Sequence, residues 1–310
     1  MSFDFDAAVQ VPFRMQPGLR RLAAGSRQLT VSARAGQHLR EKLTVLGAHA
    51  ELALLQAPGF DARPALSALA TQAVAEHPTA FAWDGETATS HLLGWQVRDG
   101  DVFEVAGGPQ PLAHVGECLR NLPASWRLAG LMCLAFAEDF AIIDGLSAHI
   151  PWLAVALPSH WAPGDKVGRH FVQVHAPVAD NRHLLAAGEA LARLVTADTR
   201  WERFVWSIGT SASLNLHPSL PRQPWRRGDV GTQAVWRTER QTFIPVPERR
   251  QAVFTILVET QPLSDALDSA DKARRLHDAV ASMSADVLRY RGLLDVRDEL
   301  LSWLAHRDNA

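Results

Sequence analysis

Residues 232–244 read TQAVWRTERQTFI, and they decide how the rest of the chain is read. Apolar and polar side chains partly alternate through residues 232–243, as in a strand with one face buried and the other lining something polar. At that period Arg237 and Glu239 fall on one side and Arg240 on the other. One of the two faces should therefore aim into a pocket and the other away. Unpaired charge inside a strand is costly, so the Arg237, Glu239 and Arg240 cluster is expected to belong to a pocket. Residues 204–208 and 252–259 read as two further strands.

Working outward, residues 214–228 carry Pro218, Pro221 and Pro224 and form a long loop. Residues 184–196 have the period of an amphipathic helix, and residues 165–174 a shorter one that ends before Pro177. The apolar runs 131–143 and 152–157, bounded by Asp144-Gly145 and Pro158, suit buried strands. Toward the N-terminus, Leu39, Leu43 and Leu46 predict a helix over 37–55 with Pro58-Gly59 as its stop. A second helix runs from Pro64, an apt first-turn residue, to Glu76, and a third over 111–122. Residues 81–109 mix short apolar runs with Gly and Asp and carry no clear period. The first thirty residues, broken by Pro12, Pro17 and Gly18, are irregular, and two helices, 271–289 and 294–305, close the chain. This order predicts an α+β fold with a mostly antiparallel sheet. The expected division is an N-terminal helical layer over 1–125, a core over 126–262 and C-terminal helices over 263–310, together one compact unit.

At 310 residues the chain can bury a large core, and 47% hydrophobic with 21% charged residues is a globular balance. A net charge of −2 gives no general pull toward nucleic acid or anionic membrane. The acids in Met1-Ser2-Phe3-Asp4-Phe5-Asp6 do not suit a signal peptide, and no apolar run reaches spanning length. The expectation is a soluble, cytoplasmic protein. Cys118 and Cys133 form neither a zinc motif nor a covalent haem-attachment motif. Gly-x-Gly-x-x-Gly, P-loop, His-Glu-x-x-His and Gly-x-Ser-x-Gly patterns are absent from the sequence. Ten tryptophans stand against one tyrosine, and several cluster mid-chain. They either pack the core or line a cavity for a flat aromatic ligand.

Several ordered segments resemble the haem-dependent oxidative N-demethylase alpha-subunit family. They are Glu138-Asp139-Phe140, Pro158-Ser159-His160-Trp161, Lys166-Val167-Gly168, Val174-His175-Ala176-Pro177-Val178, Arg203-Phe204-Val205-Trp206, Glu239-Arg240-Gln241-Thr242 and Phe254-Thr255-Ile256. Pro12-Phe13-Arg14 and Arg289-Tyr290-Arg291-Gly292 extend the similarity to most of the chain. The resemblance implies a PAS-like fold, with the sheet antiparallel and helices gathered on one side. It also implies haem b, O2 as co-substrate, demethylation of a small secondary amine, and electrons from a flavin and iron–sulfur reductase subunit.

On that reading an imidazole is the iron ligand. His175 fits it best, His170 is the fallback, and His149 and His160 are weaker. The haem propionates need cationic donors, for which Lys166, Arg203, Arg237 and Arg240 are candidates. Glu239 is the candidate to contact a cationic amine or to relay protons. The chain departs from the family pattern at Ala137 and Val205, where amides are usual, and at Ala179 and Pro245. Losing the two amides removes groups that orient water or substrate. A non-catalytic haem-PAS sensor and a haem-free structural subunit are the other readings left open.

Overall fold

The computed structural model describes residues 3–308. Its centre is a seven-stranded antiparallel sheet. In chain order the strands of the protein are β1 (Arg20–Arg21), β2 (Leu54–Gln56), β3 (Phe81–Trp83), β4 (Thr87–Ser90), β5 (Trp95–Arg98), β6 (Asp101–Glu104), β7 (Asp139–Asp144), β8 (Trp152–Ala154), β9 (Trp201–Gly209), β10 (Val235–Val246) and β11 (Gln251–Pro262). The large sheet runs β1-β9-β10-β11-β7-β8-β2, and β3 to β6 form a separate four-stranded meander. The long hairpin β10–β11 is its spine, turned by Pro247–Arg249 with Arg250 left-handed at φ 50°.

Register fixes which side chains share a face. Gln241 stands opposite Arg203 on β9 and Ile256 on β11, while Thr242 stands opposite Glu202 and Thr255. The face of Thr242 carries Phe140, Ile142, Trp152, Ile244, Val246 and Val253, which share a core with the helices Arg63–Glu76 and Arg127–Ala135. At its other end Trp206 and Trp236 stack, 5.0 Å apart, under the C-terminal helices Ala270–Ala281 and Arg297–Asp308. The face of Gln241 is covered instead by the connection between β8 and β9, through Phe171, Ala192 and Val195 at one end and Trp161 and Val167 at the other.

Two expectations change. The apolar run 131–143 is not one strand: Arg127–Ala135 is a helix, and only Asp139–Asp144 is extended. Residues 129–135 are buried on every side, and a helix sunk in the core has no apolar stripe to betray its period. The helix expected over 37–55 ends at Ala48, and Leu54–Gln56 becomes the edge strand β2. Smaller differences follow the same capping logic. The helix over 271–289 breaks at Ser282–Ser284, where Ser284 caps the next helix by accepting from Val287 N. The helix over 184–196 is two pieces, Arg182–Ala186 and Gly188–Val195. The uncalled residues 81–109 supply the meander, on which the helix Ala113–Asn121 lies close: a Cβ on Gly116 would stand 2.1 Å from the Trp95 ring.

A buried charge cluster sets the start of β7. Lys42 Nζ donates to Phe136 O (3.1 Å) and Glu138 O (2.6 Å) and lies 3.2 Å from Asp139 Oδ1. Asp139 Oδ2 accepts from Leu157 N at 2.7 Å, and Glu138 Oε2 from Thr30 N at 2.9 Å. Among the described residues no helix is long and apolar enough to cross a membrane.

Candidate functional site

The chemistry gathers on the Gln241 face. His175 ends the five-residue helix Phe171–His175. So short a helix needs its ends tied. His170 Nδ1 accepts from Val172 N at 3.2 Å, and Gln173 Oε1 accepts from His170 N at 3.3 Å, a reciprocal cap. At the other end Lys166 Nζ donates to Val174 O (2.8 Å), and Asn181 Nδ2 to His175 O (3.1 Å) and Ala176 O (2.9 Å).

The His175 ring lies on that of Phe171, centroids 4.1 Å apart, and its Nδ1 meets Phe171 O at 2.9 Å. A carbonyl only accepts, so Nδ1 carries the proton and Nε2 keeps its lone pair. Burial pulls the imidazole down to about 4, against the Phe171 carbonyl, and the nearby charges of Arg203 and Lys166 push the same way as burial. His175 is therefore a neutral ring with an oriented lone pair, the state a metal requires of histidine. His170 has the opposite tautomer: its Nδ1 accepts, so its Nε2 bears the proton. His149 turns Nδ1 to Ser147 O at 2.7 Å and packs edge-on against His170. His160 is held in a left-handed turn at φ 63° on the exposed side.

Glu239 and Arg237 leave β10 on this same face. One carboxylate oxygen of Glu239 accepts from Gln241 Nε2 at 2.6 Å and the other from the Ser159 hydroxyl. Ser159 Oγ accepts in turn from Arg237 Nε at 2.8 Å. The remaining donors of Arg237 reach Ser213 O (3.0 Å), Leu214 O (2.7 Å) and, at 3.4 Å, Leu157 O. Arg237 thus engages all three guanidinium nitrogens as a clamp between the sheet and two loops. Burial lowers its pKa, opposed first by the charge of Glu239.

Arg240 is not with them. It points to the opposite face, where Nε and Nη2 donate to Glu202 Oε2 at 3.1 and 2.9 Å and Nη1 to Arg27 O at 2.8 Å. The alternation read from the sequence separates these arginines correctly, but Arg240 spends its whole fork on the scaffold. Of the four cations expected near a ligand, the structure gathers Lys166, Arg203 and Arg237 around the His175 and Glu239 face. Arg203 makes no hydrogen bond or ion pair to any described residue, although the charge of Glu239 acts on it.

Ser159 and Gln241 orient Glu239, yet neither was singled out from sequence. Both lie within the ordered segments quoted above, Pro158-Ser159-His160-Trp161 and Glu239-Arg240-Gln241-Thr242, and strand parity alone puts Gln241 beside Glu239. Among the described residues no three of His, Cys, Asp or Glu gather as a metal cluster. A groove of about 420 Å3 lined by Arg200, Pro245 and Arg249 opens beside the β10–β11 turn, away from His175 and Glu239. Compared with known protein families, residues 39–301 match the one described as haem-dependent oxidative N-demethylase, alpha subunit-like.

Proposed function

Because the chain belongs to the haem-dependent oxidative N-demethylase, alpha subunit-like family, we propose that it binds haem b through His175 and oxidatively demethylates a small secondary amine. The observation that carries this reading is the His175 ring: neutral, fixed by Phe171 O, with its Nε2 lone pair uncommitted beside Arg203 and Lys166. The neighbouring residues fit the group on two further counts. Arg203 offers a cation that makes no hydrogen bond or ion pair to any described residue, and Phe171, Phe243, Phe254 and Trp161 supply the apolar surround a porphyrin plane needs. The family implies a PAS-like fold, and the antiparallel sheet with one face roofed by the β8–β9 connection is compatible with it.

When bound, haem would supply the reaction with O2. The residues of the chain do the rest. Glu239 receives the cationic amine, its two carboxylate oxygens oriented by Ser159 and Gln241. Arg237 holds Ser159 in that pose and keeps Leu157 and Leu214 over the sheet. Glu239 also takes up the proton released when the ammonium becomes a neutral amine. Oxidation of the N-methyl group breaks its C–N bond to leave the demethylated amine, one oxygen atom in formaldehyde and the other, with two protons taken from solvent, in water. The balance requires two electrons, which a flavin and iron–sulfur partner subunit delivers.

The first test is the absorption spectrum of haem-supplemented protein beside His175→Ala. A Soret band that shifts or disappears in the variant supports the assignment; an unchanged band removes His175 as ligand. A haem-loaded protein that turns over no amine with a reductase supports a ligand-binding role instead.

A further inference from the structure

Two buried donors on β9 make no hydrogen bond to any described residue. Trp201 Nε1 and Arg203 Nε are both sealed from solvent, and neither has an acceptor. They stand two residues apart on one strand, so both side chains leave it on the face of Glu239 and Gln241. Arg203 is directly opposite Gln241, and Trp201 packs against the cluster that holds Phe243. Trp201 shares a cluster with Phe171, whose ring lies against His175. The charge of Arg203 reaches His175 on one side and Glu239 on the other, yet among the described residues it forms an ion pair with neither.

Leaving a buried donor unpaired costs about 1–3 kcal/mol, and more when the donor is charged. Two such donors side by side are not accounted for by packing, because apolar residues of similar size would fill the space without the cost. Indole N–H can only donate, and guanidinium offers a planar fork with a single positive charge. The complementary ligand is therefore an acceptor with two coplanar oxygens and one negative charge.

We propose that Trp201 and Arg203 form a carboxylate subsite beside His175, an inference that rests on the haem reading above. The carboxylate has two possible sources. It is a propionate of the haem, or it belongs to the substrate, which is then an N-methyl amino acid with its nitrogen on Glu239 and its carboxylate on Arg203.

The test titrates wild type, Arg203→Gln and Trp201→Phe with iron protoporphyrin IX and with its dimethyl ester, followed at the Soret band. Sarcosine and dimethylamine are then titrated into the haem-loaded proteins. If a propionate is the occupant, Arg203→Gln weakens iron protoporphyrin IX at least tenfold and leaves the ester unchanged. If the substrate is the occupant, the two porphyrins behave alike and the variant loses sarcosine but keeps dimethylamine. Variants that are folded by circular dichroism and bind all four ligands as wild type does overturn the subsite. A wild type that takes up neither porphyrin overturns the haem reading and the propionate source with it. Calorimetry of sarcosine with haem-free wild type and Arg203→Gln then decides the subsite, equal heats overturning it.

Discussion

Glu138 shows how one buried side chain makes stability depend on pH. It is enclosed beside Lys42, with Oε2 taking the Thr30 N–H and Oε1 left without a partner. Burial raises its carboxyl from 4.5 to about 7, against the hydrogen bond from Thr30. A folded pKa above the unfolded one means that the stabilisation is complete below about pH 4.5 and is lost as pH rises through about 7. Glu138→Gln keeps an acceptor for Thr30 but cannot ionise. Its melting temperature, relative to wild type, should rise between pH 5 and pH 8, corresponding to at most about 3 kcal/mol. A parallel pair of melting curves would discard this account of Glu138. Arg240 makes a second case, since it and Glu202 are each about 6% exposed. Arg240→Met strands the Glu202 carboxylate with only the half-exposed Arg20 at 3.0 Å, and should cost about 3–5 kcal/mol in denaturant unfolding. Adding Glu202→Gln should recover part of that loss.

Elements divide by how far local chemistry determines them. The helix Phe171–His175 is five residues long and depends on its ends, so Gln173→Ala, which removes one arm of the cap, is expected to loosen it by about 1 kcal/mol. The readout is local: His175 in the haem-loaded variant should give a broadened or shifted Soret band while far-UV circular dichroism stays as in wild type. The three strands were legible in sequence: β9 and β11 lie where expected, each longer by a few residues, while β10 starts three residues later than expected, after the helical turn Val230–Gln233, and ends two residues further on. The helix Arg127–Ala135 was not legible, since total burial erases its period, and neither was the meander over β3 to β6, whose strands are three or four residues long. For the candidate site, parity separated Arg240 from Arg237 and Glu239, and the resemblance pointed to His175. What sequence withheld was partnership: that Arg237 is taken up by loop carbonyls, and that Arg203 finds no hydrogen bond among the described residues, depends on segments far apart in the chain.

At the scale of the molecule, each face of the large sheet has its own cover. Scaffold packing sits on the Thr242 face and the candidate chemistry on the Gln241 face. Changes to the packing of the meander should then alter stability without reaching the site. Gly116→Val, which drives a side chain into Trp95, should lower the denaturation midpoint through an overpacking cost of about 1–3 kcal/mol. Haem affinity measured on the fraction that remains folded should equal that of wild type. A loss of affinity at full folding would show instead that the two covers are coupled through the strands.

The paired roles of β10 carry a consequence for how such a chain can diverge. Arg237 and Glu239 point to the face of the candidate site, and Thr238 and Arg240 to the opposite, scaffold face, in strict turn along one strand. Point replacements can therefore retune recognition at alternate positions while every framework residue is retained. A single inserted or deleted codon between positions 237 and 240 would turn the strand over beyond it and send clamp and ion pair to each other's sides. Lineages carrying this hairpin are free to vary in what they recognise, but not in how many residues separate its two ends.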